Sequence, residues 1–299
     1  MALAGRLYDK HSRLADSLAM LPETLTIKCE QLKAILSSYR RVIIAFSGGL
    51  DSSFLLFAAV EALGKENTMA AIGVSESLAR SEYELACKFA RELGLPEDRI
   101  IKIDTRELED PGYVQNSPDR CFFCKSELFQ RLNELSERSR HEIVCDGANA
   151  SDIGDHRPGM TAAKERNVKS PLLEAGLTKE EIRRLAKSFG LAIWDKPQSA
   201  CLASRIPYGS QVTRDKLRQI EQAEEFLRSL GFRQLRVRHH DIVARIELPR
   251  EDMQKVLSNG TGDRIVERFR EIGFFFTTID LGGFKSGSMN VMLKGENHD

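Results

Sequence analysis

The apolar positions of this chain change period along its length. Up to about residue 40 they fall at helical spacing, with Leu32, Ile35 and Leu36 on one stripe ahead of Tyr39. Arg41 to Phe46 (RVIIAF) is instead a short unbroken run rich in β-branched residues, which predicts a strand buried on both faces. After a glycine-rich turn, FLLFAAVEALG predicts a helix closed by Gly64. Residues 69–74 predict the next strand, Ser81 with Glu84 a capping box opening a helix to Leu93, and 100–103 a third strand. A long irregular stretch then leads to a helix over about 121–135 and a strand over 142–145. Thr178 with Glu181 forms a second capping box, for a helix ending near Gly190. Strands alternating with helices predict an α/β fold, a parallel sheet with helices on both faces, whose ligands bind beyond the carboxyl ends of the strands.

Beyond Tyr208-Gly209 the pattern changes again. A long helix is predicted over 213–230, ending at Gly231, and LRVRHH and VARIEL read as two short strands. A helical stretch over 251–272 breaks near Asn259-Gly260, and FFFTTID supplies a last strand. The expected organisation is an N-terminal helical extension (1–27), an α/β domain (28–205) and a smaller C-terminal α+β domain (206–299).

Charge narrows the partners. The 299 residues carry 44 Lys+Arg against 44 Asp+Glu, and the 97 residues from Ala203 onward hold 16 basic and 14 acidic side chains, so no basic half is concealed. A protein that grips a long nucleic acid by its phosphates shows a basic excess, so an extended nucleic-acid partner is not expected. No apolar run approaches the ~18–20 residues that span a bilayer, and MALAGRLYDKHSRL is too polar for a signal peptide. No membrane association is expected, and the expected location is cytoplasmic. The six cysteines, Cys29, Cys87, Cys121, Cys124, Cys145 and Cys201, are too irregular for a disulfide framework. In a reducing compartment, clustered cysteines point to metal ligation or reactive thiols.

The most informative segment is Ser47-Gly48-Gly49-Leu50-Asp51-Ser52-Ser53. Adjacent glycines directly after a buried strand let the backbone turn and present N–H groups to an anion, and the following helix adds the positive end of its dipole. Hydroxyls of Ser47, Ser52 and Ser53 add donors. A Walker A loop would need a Lys that reaches the β/γ-phosphates, and none is present here. The segment resembles instead the SGGxDS loop of the PP-loop N-type ATP pyrophosphatases, of adenine nucleotide alpha hydrolase type. That resemblance implies ATP bound at Ser47, Gly48, Gly49, Asp51, Ser52 and Ser53, adenylation of a carboxylate or carbonyl oxygen, and release of pyrophosphate. Mg²⁺ is expected, because ATP chemistry needs its phosphate charge neutralised.

Cys121-Phe122-Phe123-Cys124 sits at a predicted helix start, where i, i+3 spacing puts both sulfurs on one face and the dipole favours thiolates. Alone it suits half a zinc site, a redox pair or two half-buried cysteines without a special role. Cys201, in the loop-like QSACLASRIPYG, adds a third candidate. Three thiolates on a [4Fe-4S] cluster leave one iron open, and an open iron can hold an exogenous sulfide as nucleophile. Cys145 in an apolar strand, Cys87 in an amphipathic helix and Cys29 read as packing or surface residues.

The runs SGGLDSS, DGANASDIGDHRPG, SACLASRIPYGS, LRVRHHDIVARIELP and DLGGFKSG resemble the LarE family from about residue 28 to 290. The resemblance implies an ATP-dependent sulfur transferase. Its expected substrate is a small mononucleotide, pyridinium-3,5-biscarboxylic acid mononucleotide, whose carboxylates become thiocarboxylates in making the nickel-pincer nucleotide cofactor. In one subgroup a cysteine at the position of Cys201 is sacrificed; in another, which this chain is similar to, cysteines at Cys121, Cys124 and Cys201 hold a [4Fe-4S] cluster with renewable sulfide. Arg236 and Arg238, two apart on a predicted strand, face one side. By themselves they suit a solvated basic face; the resemblance makes them grips for the substrate phosphate.

Arg205 is expected to meet a carboxylate or phosphate near Cys201. Glu224 and Glu247 occupy acidic positions that the family uses near the site, although each alone is typical of a surface charge. Asp155 and Arg157 follow a strand end and are expected in an active-site loop that handles nucleotide or Mg²⁺. Lys125 and Lys179 can assist charge neutralisation, and His239-His240 reads as a strand edge. A homo-oligomer is the expected assembly. Two other readings stay open: a tRNA thiolase of the same loop class, disfavoured by neutral charge, and a non-catalytic ATP-binding module, which has no use for the three cysteines.

Overall fold

The computed structural model describes residues 21–139, 143–154, 158–197 and 200–285. The first twenty residues of the predicted N-terminal extension therefore lie outside the described residues, as do Asp155 and Arg157. Helix α1 (Glu23–Ser37) turns Leu25, Leu32 and Leu36 inward, the last two on the stripe that the spacing predicts. The RVIIAF run supplies β1 (Val42–Ala45), and all of its residues are buried, as expected of a strand covered on both faces. It is followed by α2 (Leu50–Leu63), β2 (Thr68–Val74), α3 (Arg80–Glu92), β3 (Ile100–Asp104), α4 (Arg120–Arg138) and β4 (Ile143–Cys145). The strands form a sheet of order β3-β2-β1-β4. β1 runs parallel to β2, with Val42 opposite Thr68, and parallel to β4, with Val42 opposite Ile143. Helices flank this parallel sheet, the α/β architecture that the alternating pattern implies.

α2 is apolar nearly all round and is buried accordingly, with Leu55, Leu56 and Ala59 fully inaccessible. Each such leucine contributes roughly 1.5–3 kcal/mol of burial free energy. The helix stops at Gly64, whose φ of 81° is one that a glycine adopts at no steric cost. α5 (Pro158–Glu165) and α6 (Lys179–Ser188) follow β4. At the start of α6 the predicted capping box is present: the Thr178 side chain accepts from the Glu181 N–H, and the Glu181 carboxylate accepts from the Thr178 N–H. The capping box predicted at Ser81 is not, because α3 already begins at Arg80. The Arg80 N–H donates to the Glu221 carboxylate at 2.7 Å, so a side chain 141 residues away caps this helix in place of a local serine.

The chain divides into two compact units. The described residues within 1–73, 82–103 and 128–196 form one, and 74–81, 104–127 and the chain from 197 form the other. The second unit contains α7 (Arg214–Ser229), β5 (Arg236–His240), β6 (Val243–Glu247), α8 (Arg250–Val256), α9 (Thr261–Ile272) and β7 (Phe276–Ile279). Its sheet has the order β5-β6-β7, with β5 and β6 antiparallel and β6 and β7 parallel. Ala223 and Leu227 of α7, Val237 of β5, Ala244 and Ile246 of β6 and Phe269 of α9 are fully buried in its core. The break between α8 and α9 falls where the sequence predicts it, because Asn259 and Gly260 are both left-handed (φ 55° and 68°). A second core in this unit joins Ala79, Tyr113, Leu202, Ala203, Ile206 and Leu217. It ties the 74–81 and 104–127 segments to the chain beyond 197.

Candidate active site

The SGGLDSS segment leaves β1 and enters α2 in the first unit. Gly48 has φ +68°, and a Cβ there would stand 2.9 Å from the Ala86 Cβ, so this position requires glycine twice over. The serines tie the turn together. The Ser47 N–H donates to Ser52 Oγ at 3.2 Å, the two serine hydroxyls are 3.0 Å apart, and the Gly49 N–H donates to Ser47 Oγ at 3.4 Å. Two buried oxygens of the loop, Asp51 Oδ1 and Ser53 Oγ, have no hydrogen-bond partner among the described residues. Unsatisfied buried polar groups cost about 1–3 kcal/mol each and mark places where a ligand can contribute the missing bond. Burial pushes the Asp51 carboxyl up; Lys179, with Nζ 3.6 Å from Asp51 Oδ2, pulls it back. Lys179 is thus placed at the loop, although nothing in its local sequence sets it apart.

The DGANASDIG segment passes directly over this turn, and a Cβ on Gly147 would lie 3.0 Å from the Ser52 nitrogen. Asp146 Oδ1 accepts from the Ala148 N–H at 3.2 Å and from Ser170 Oγ at 2.7 Å, which fixes the segment. Two residues that no sequence motif singles out also converge here. Lys196 Nζ donates to the Gly48 carbonyl at 2.9 Å and to Glu82 Oε2 at 2.8 Å.

The cysteines belong to the second unit. Cys121 and Cys124 lie in the first turns of α4, and Cys201 directly precedes a single 3₁₀ turn, Leu202–Arg205. Four residues that no sequence motif singles out, Asn116, Arg120, Ser77 and Tyr113, bring these elements together. Asn116, left-handed at φ 57° and fully buried, donates from Nδ2 to the carbonyls of Ile206, Pro207 and Ser210 at 3.2, 2.7 and 2.9 Å. The buried Arg120 guanidinium donates to Asn116 Oδ1 and to the Ala203 carbonyl. The Leu202 N–H donates to Ser77, whose hydroxyl pairs with the Tyr113 hydroxyl. Only the N-S-P-D-R-C run, with its polar residues just ahead of a helix, could have signalled Asn116 and Arg120 in the sequence.

The thiols perturb one another. Loss of water pushes the Cys121 thiol up, the Cys201 sulfur adds to the rise, and Arg120 and Lys125 oppose it. Burial raises the Cys124 thiol further, followed by the charge of Glu107 and then by Cys201. Burial alone would push the Arg120 guanidinium down, but Cys201 and Cys121 hold it above its usual value. Glu107 is itself buried, accepting from Ser75 Oγ at 2.5 Å through Oε1. For a [4Fe-4S] cluster, the donor set fits in kind: three thiols share one electrostatic neighbourhood, in which Arg120 and Lys125 oppose the rise at Cys121. Among the described residues, no group of three or more His, Cys, Asp or Glu side chains is drawn together around a single metal ion. Cys87 and Cys145 are buried, and burial raises the Cys29 thiol to about 11, in keeping with packing roles for these three.

A buried arginine–carboxylate assembly follows Cys201. Arg205 is 2% exposed and meets Glu224 through both arms, Nε to Oε1 at 2.9 Å and NH2 to Oε2 at 3.0 Å. Its NH1 donates to the Ala200 and Cys201 carbonyls at 2.5 and 3.0 Å, so the residue expected to meet a ligand also clamps the backbone at Cys201. Glu224 further accepts from Arg228 at 3.0 Å and from the Val237 N–H at 3.1 Å. Arg238 pairs in the same two-armed way with Glu247 at 3.0 and 2.9 Å and donates to the Ser204 carbonyl at 2.8 Å. Neither Glu224 nor Glu247 is a surface charge, since both are 0% exposed. Nor does Arg238, buried and paired, belong to a solvated basic face.

Burial would raise the Glu224 carboxyl, but Arg205, Arg228 and Arg236 hold it below the usual carboxylate range. Arg236 lies over the Phe284 ring at 5.0 Å; burial, then the like charge of Arg205, lowers it to about 10. Buried pairs of this kind are weak evidence for net stability, yet removing one member costs about 3–5 kcal/mol because the other charge is left stranded. His239, on the edge strand β5, is buried and not merely a strand edge. No helix among the described residues is long and apolar enough to cross a membrane.

The chain is similar to several known proteins. Residues 26–149 match the NAD synthase family. An uncharacterized protein of Synechocystis is 40% identical over 269 residues, 90% of this chain and 99% of that protein. The pyridinium-3,5-bisthiocarboxylic acid mononucleotide synthase of Lactiplantibacillus plantarum is 38% identical over 270 residues, 90% of this chain and 96% of the synthase. An uncharacterized protein of Methanocaldococcus jannaschii is 29% identical over 247 residues, 83% of this chain and 92% of that protein. With a phosphate loop between β1 and α2, and a relative at 38% identity along nine-tenths of its length (90%), the chain belongs to the LarE family of PP-loop, ATP-utilising sulfur transferases.

Proposed function

We propose that the chain binds Mg-ATP at Ser47–Ser53, adenylates the carboxylates of pyridinium-3,5-biscarboxylic acid mononucleotide with release of pyrophosphate, and replaces the adenylate with sulfur. The products are the thiocarboxylates from which a nickel-pincer nucleotide cofactor is built. Adenylation turns a carboxylate oxygen into a leaving group, so the site needs a phosphate cradle and a sulfur source. Loop N–H groups, the serine hydroxyls and the positive end of α2 serve the first. The unpartnered Ser53 Oγ and Asp51 Oδ1 are suited to phosphate and Mg²⁺ respectively. Arg236 and Arg238 take the substrate's phosphate, where an added anion relieves the crowding of like charge that lowers Arg236. Arg205, held by Glu224, fixes the backbone at Cys201.

The observation that carries this reading is that Asn116 and Arg120 tie the chain just after Cys201 to the start of α4, where Cys121 and Cys124 lie. Cys121, Cys124 and Cys201 would hold the [4Fe-4S] cluster, which supplies an open iron where exogenous sulfide is carried and renewed. A second reading rests on the exposure of Cys201. In it Cys201 gives up its own sulfur: a bond forms from Sγ to the acyl carbon and AMP leaves. Loss of the Cys201 α-proton then breaks Cβ–Sγ and leaves dehydroalanine.

Purified chain incubated with Mg-ATP and the biscarboxylic mononucleotide is expected to release pyrophosphate and yield thiocarboxylate, both followed by mass spectrometry. Cys201→Ala is expected to keep pyrophosphate release and lose thiocarboxylate. Under the cluster reading, anaerobic protein contains four irons per chain, and Cys121→Ala or Cys124→Ala abolishes repeated turnover. Under sacrifice the protein is iron-free and Cys201 loses the mass of H₂S in a single turnover. Absence of pyrophosphate release in the presence of the carboxylate substrate overturns both.

A further inference from the structure

We propose that Lys196 is a phosphate-contacting residue of the ATP site and supplies, beside Lys179, positive charge that the SGGLDSS loop does not contain. The inference rests on reading that loop as the ATP site and adds one residue to it. A Walker A motif carries its Lys within the loop, where the ammonium reaches the β/γ-phosphates. Here the sequence of the turn is neutral apart from Asp51, so binding a polyphosphate requires positive charge from elsewhere in the chain.

Lys196 delivers it from a segment 148 residues downstream of Gly48. Its Nζ stands 2.9 Å from the Gly48 carbonyl, at the centre of the turn, and 2.8 Å from Glu82 Oε2. The pair is largely withdrawn from water, with side-chain exposures of 18% and 19%. Holding an ammonium in such surroundings is costly unless it is paired, which Glu82 does here, and a fixed cation beside the N-terminus of a helix favours an anion more strongly than the helix end does alone. An ammonium has three donors, and the Gly48 carbonyl and Glu82 take two among the described residues. Glu82 is the positioning residue, since it directs the lysine stem onto the turn. The turn itself cannot move aside, because the Gly48 Cα is packed on Ala86, one helical turn beyond Glu82 on α3.

Equilibrium binding of ATP, pyrophosphate and AMP, each with Mg²⁺, to the full chain tests the proposal. Lys196→Gln keeps an N–H for the Gly48 carbonyl and removes the charge. A lost charge-assisted contact predicts roughly ten- to hundredfold weaker binding of ATP and pyrophosphate, with AMP changed less than about twofold. Lys196→Ala is expected to show the same selectivity, and Glu82→Gln a smaller loss of the same kind. Equal weakening of AMP and ATP, or unchanged binding of all three, overturns the proposal in favour of a purely structural tether. Failure of the unmodified chain to bind ATP or pyrophosphate overturns the ATP site itself, and the assignment of Lys196 with it.

Discussion

Gly48 shows what a single position contributes. Its left-handed φ of +68° disfavours any side chain, and the Ala86 Cβ 2.9 Å from where its own Cβ would be forbids one. Gly48→Ala is therefore expected to cost about 1–3 kcal/mol of stability and to abolish ATP binding by displacing the Ser47 and Gly49 N–H groups. Adding Ala86→Gly relieves the contact but not the backbone strain, so the double variant should recover part of the stability and little of the binding. Denaturant midpoints and nucleotide titration of the two proteins check this. At this scale the sequence was legible where the motif is contiguous: the glycine pair after an apolar strand points to a phosphate turn without a structure. Asn116, Arg120, Glu82 and Lys196 were not legible, because each acts through partners that are distant in the chain. Arg238 and Glu247 were legible as chemistry but not as burial, since their two-armed pairing depends on the register that sets β5 against β6.

Among elements, α7, β5 and α9 are joined through one histidine. The Asp241 N–H donates to His239 Nδ1 at 3.2 Å, so that nitrogen is unprotonated and Nε2 carries the hydrogen, which it donates to Gln219 Oε1 at 2.9 Å. Gln219 Nε2 passes the chain of bonds on to the Ile272 carbonyl at 3.1 Å. Burial, then the charge of Lys216, lowers His239 from 6.5 to about 4. Above pH 6.5 both folded and unfolded chains hold this ring neutral, and its contribution to stability is complete. Between 6.5 and about 4 the unfolded chain takes up a proton that the folded chain refuses, so stability falls as the pH falls. Urea midpoints at pH 7, 6 and 5 are expected to decline, and His239→Gln to flatten the part of the slope due to this ring. The strand was readable from LRVRHH, and so was the break at Asn259-Gly260. The start of α3 was not, because its cap is Glu221 from α7 and not the serine beside it.

For the whole molecule, balanced charge conceals strong local organisation. The 44 basic and 44 acidic residues cancel in sum, yet Arg205, Arg228, Arg236, Arg238 and Arg245 are collected around Glu224 and Glu247 in the second unit. Composition could not show this cluster. The chain passes between its two units at 73/74, 81/82, 103/104, 127/128 and 196/197. A chain ended at residue 196 would keep Ala79 and Tyr113 while losing Leu202, Ala203, Ile206, Val212, Leu217 and Ile220, the rest of their core. Such a fragment is expected to expose 74–81 and 104–127, with rapid proteolysis within those segments and binding of a hydrophobic dye that the full chain does not bind. No compositional shift marks these two stretches as belonging with the C-terminal part, because the association is made by packing and not by pattern.

The same interlacing sets a timetable during synthesis. Tyr113, Cys121 and Cys124 leave the ribosome about eighty to ninety residues before Ala203, the residue whose carbonyl Arg120 holds. At about 5–20 residues per second, that delay is on the order of ten seconds. The parallel sheet has a similar wait, since β1 pairs with β4 across about a hundred residues, and such long-range contacts form slowly. For that interval two of the three thiols are chemically available before their neighbourhood exists. The growing chain is thus at its most vulnerable to oxidation and mispairing before the last third of the protein has been made.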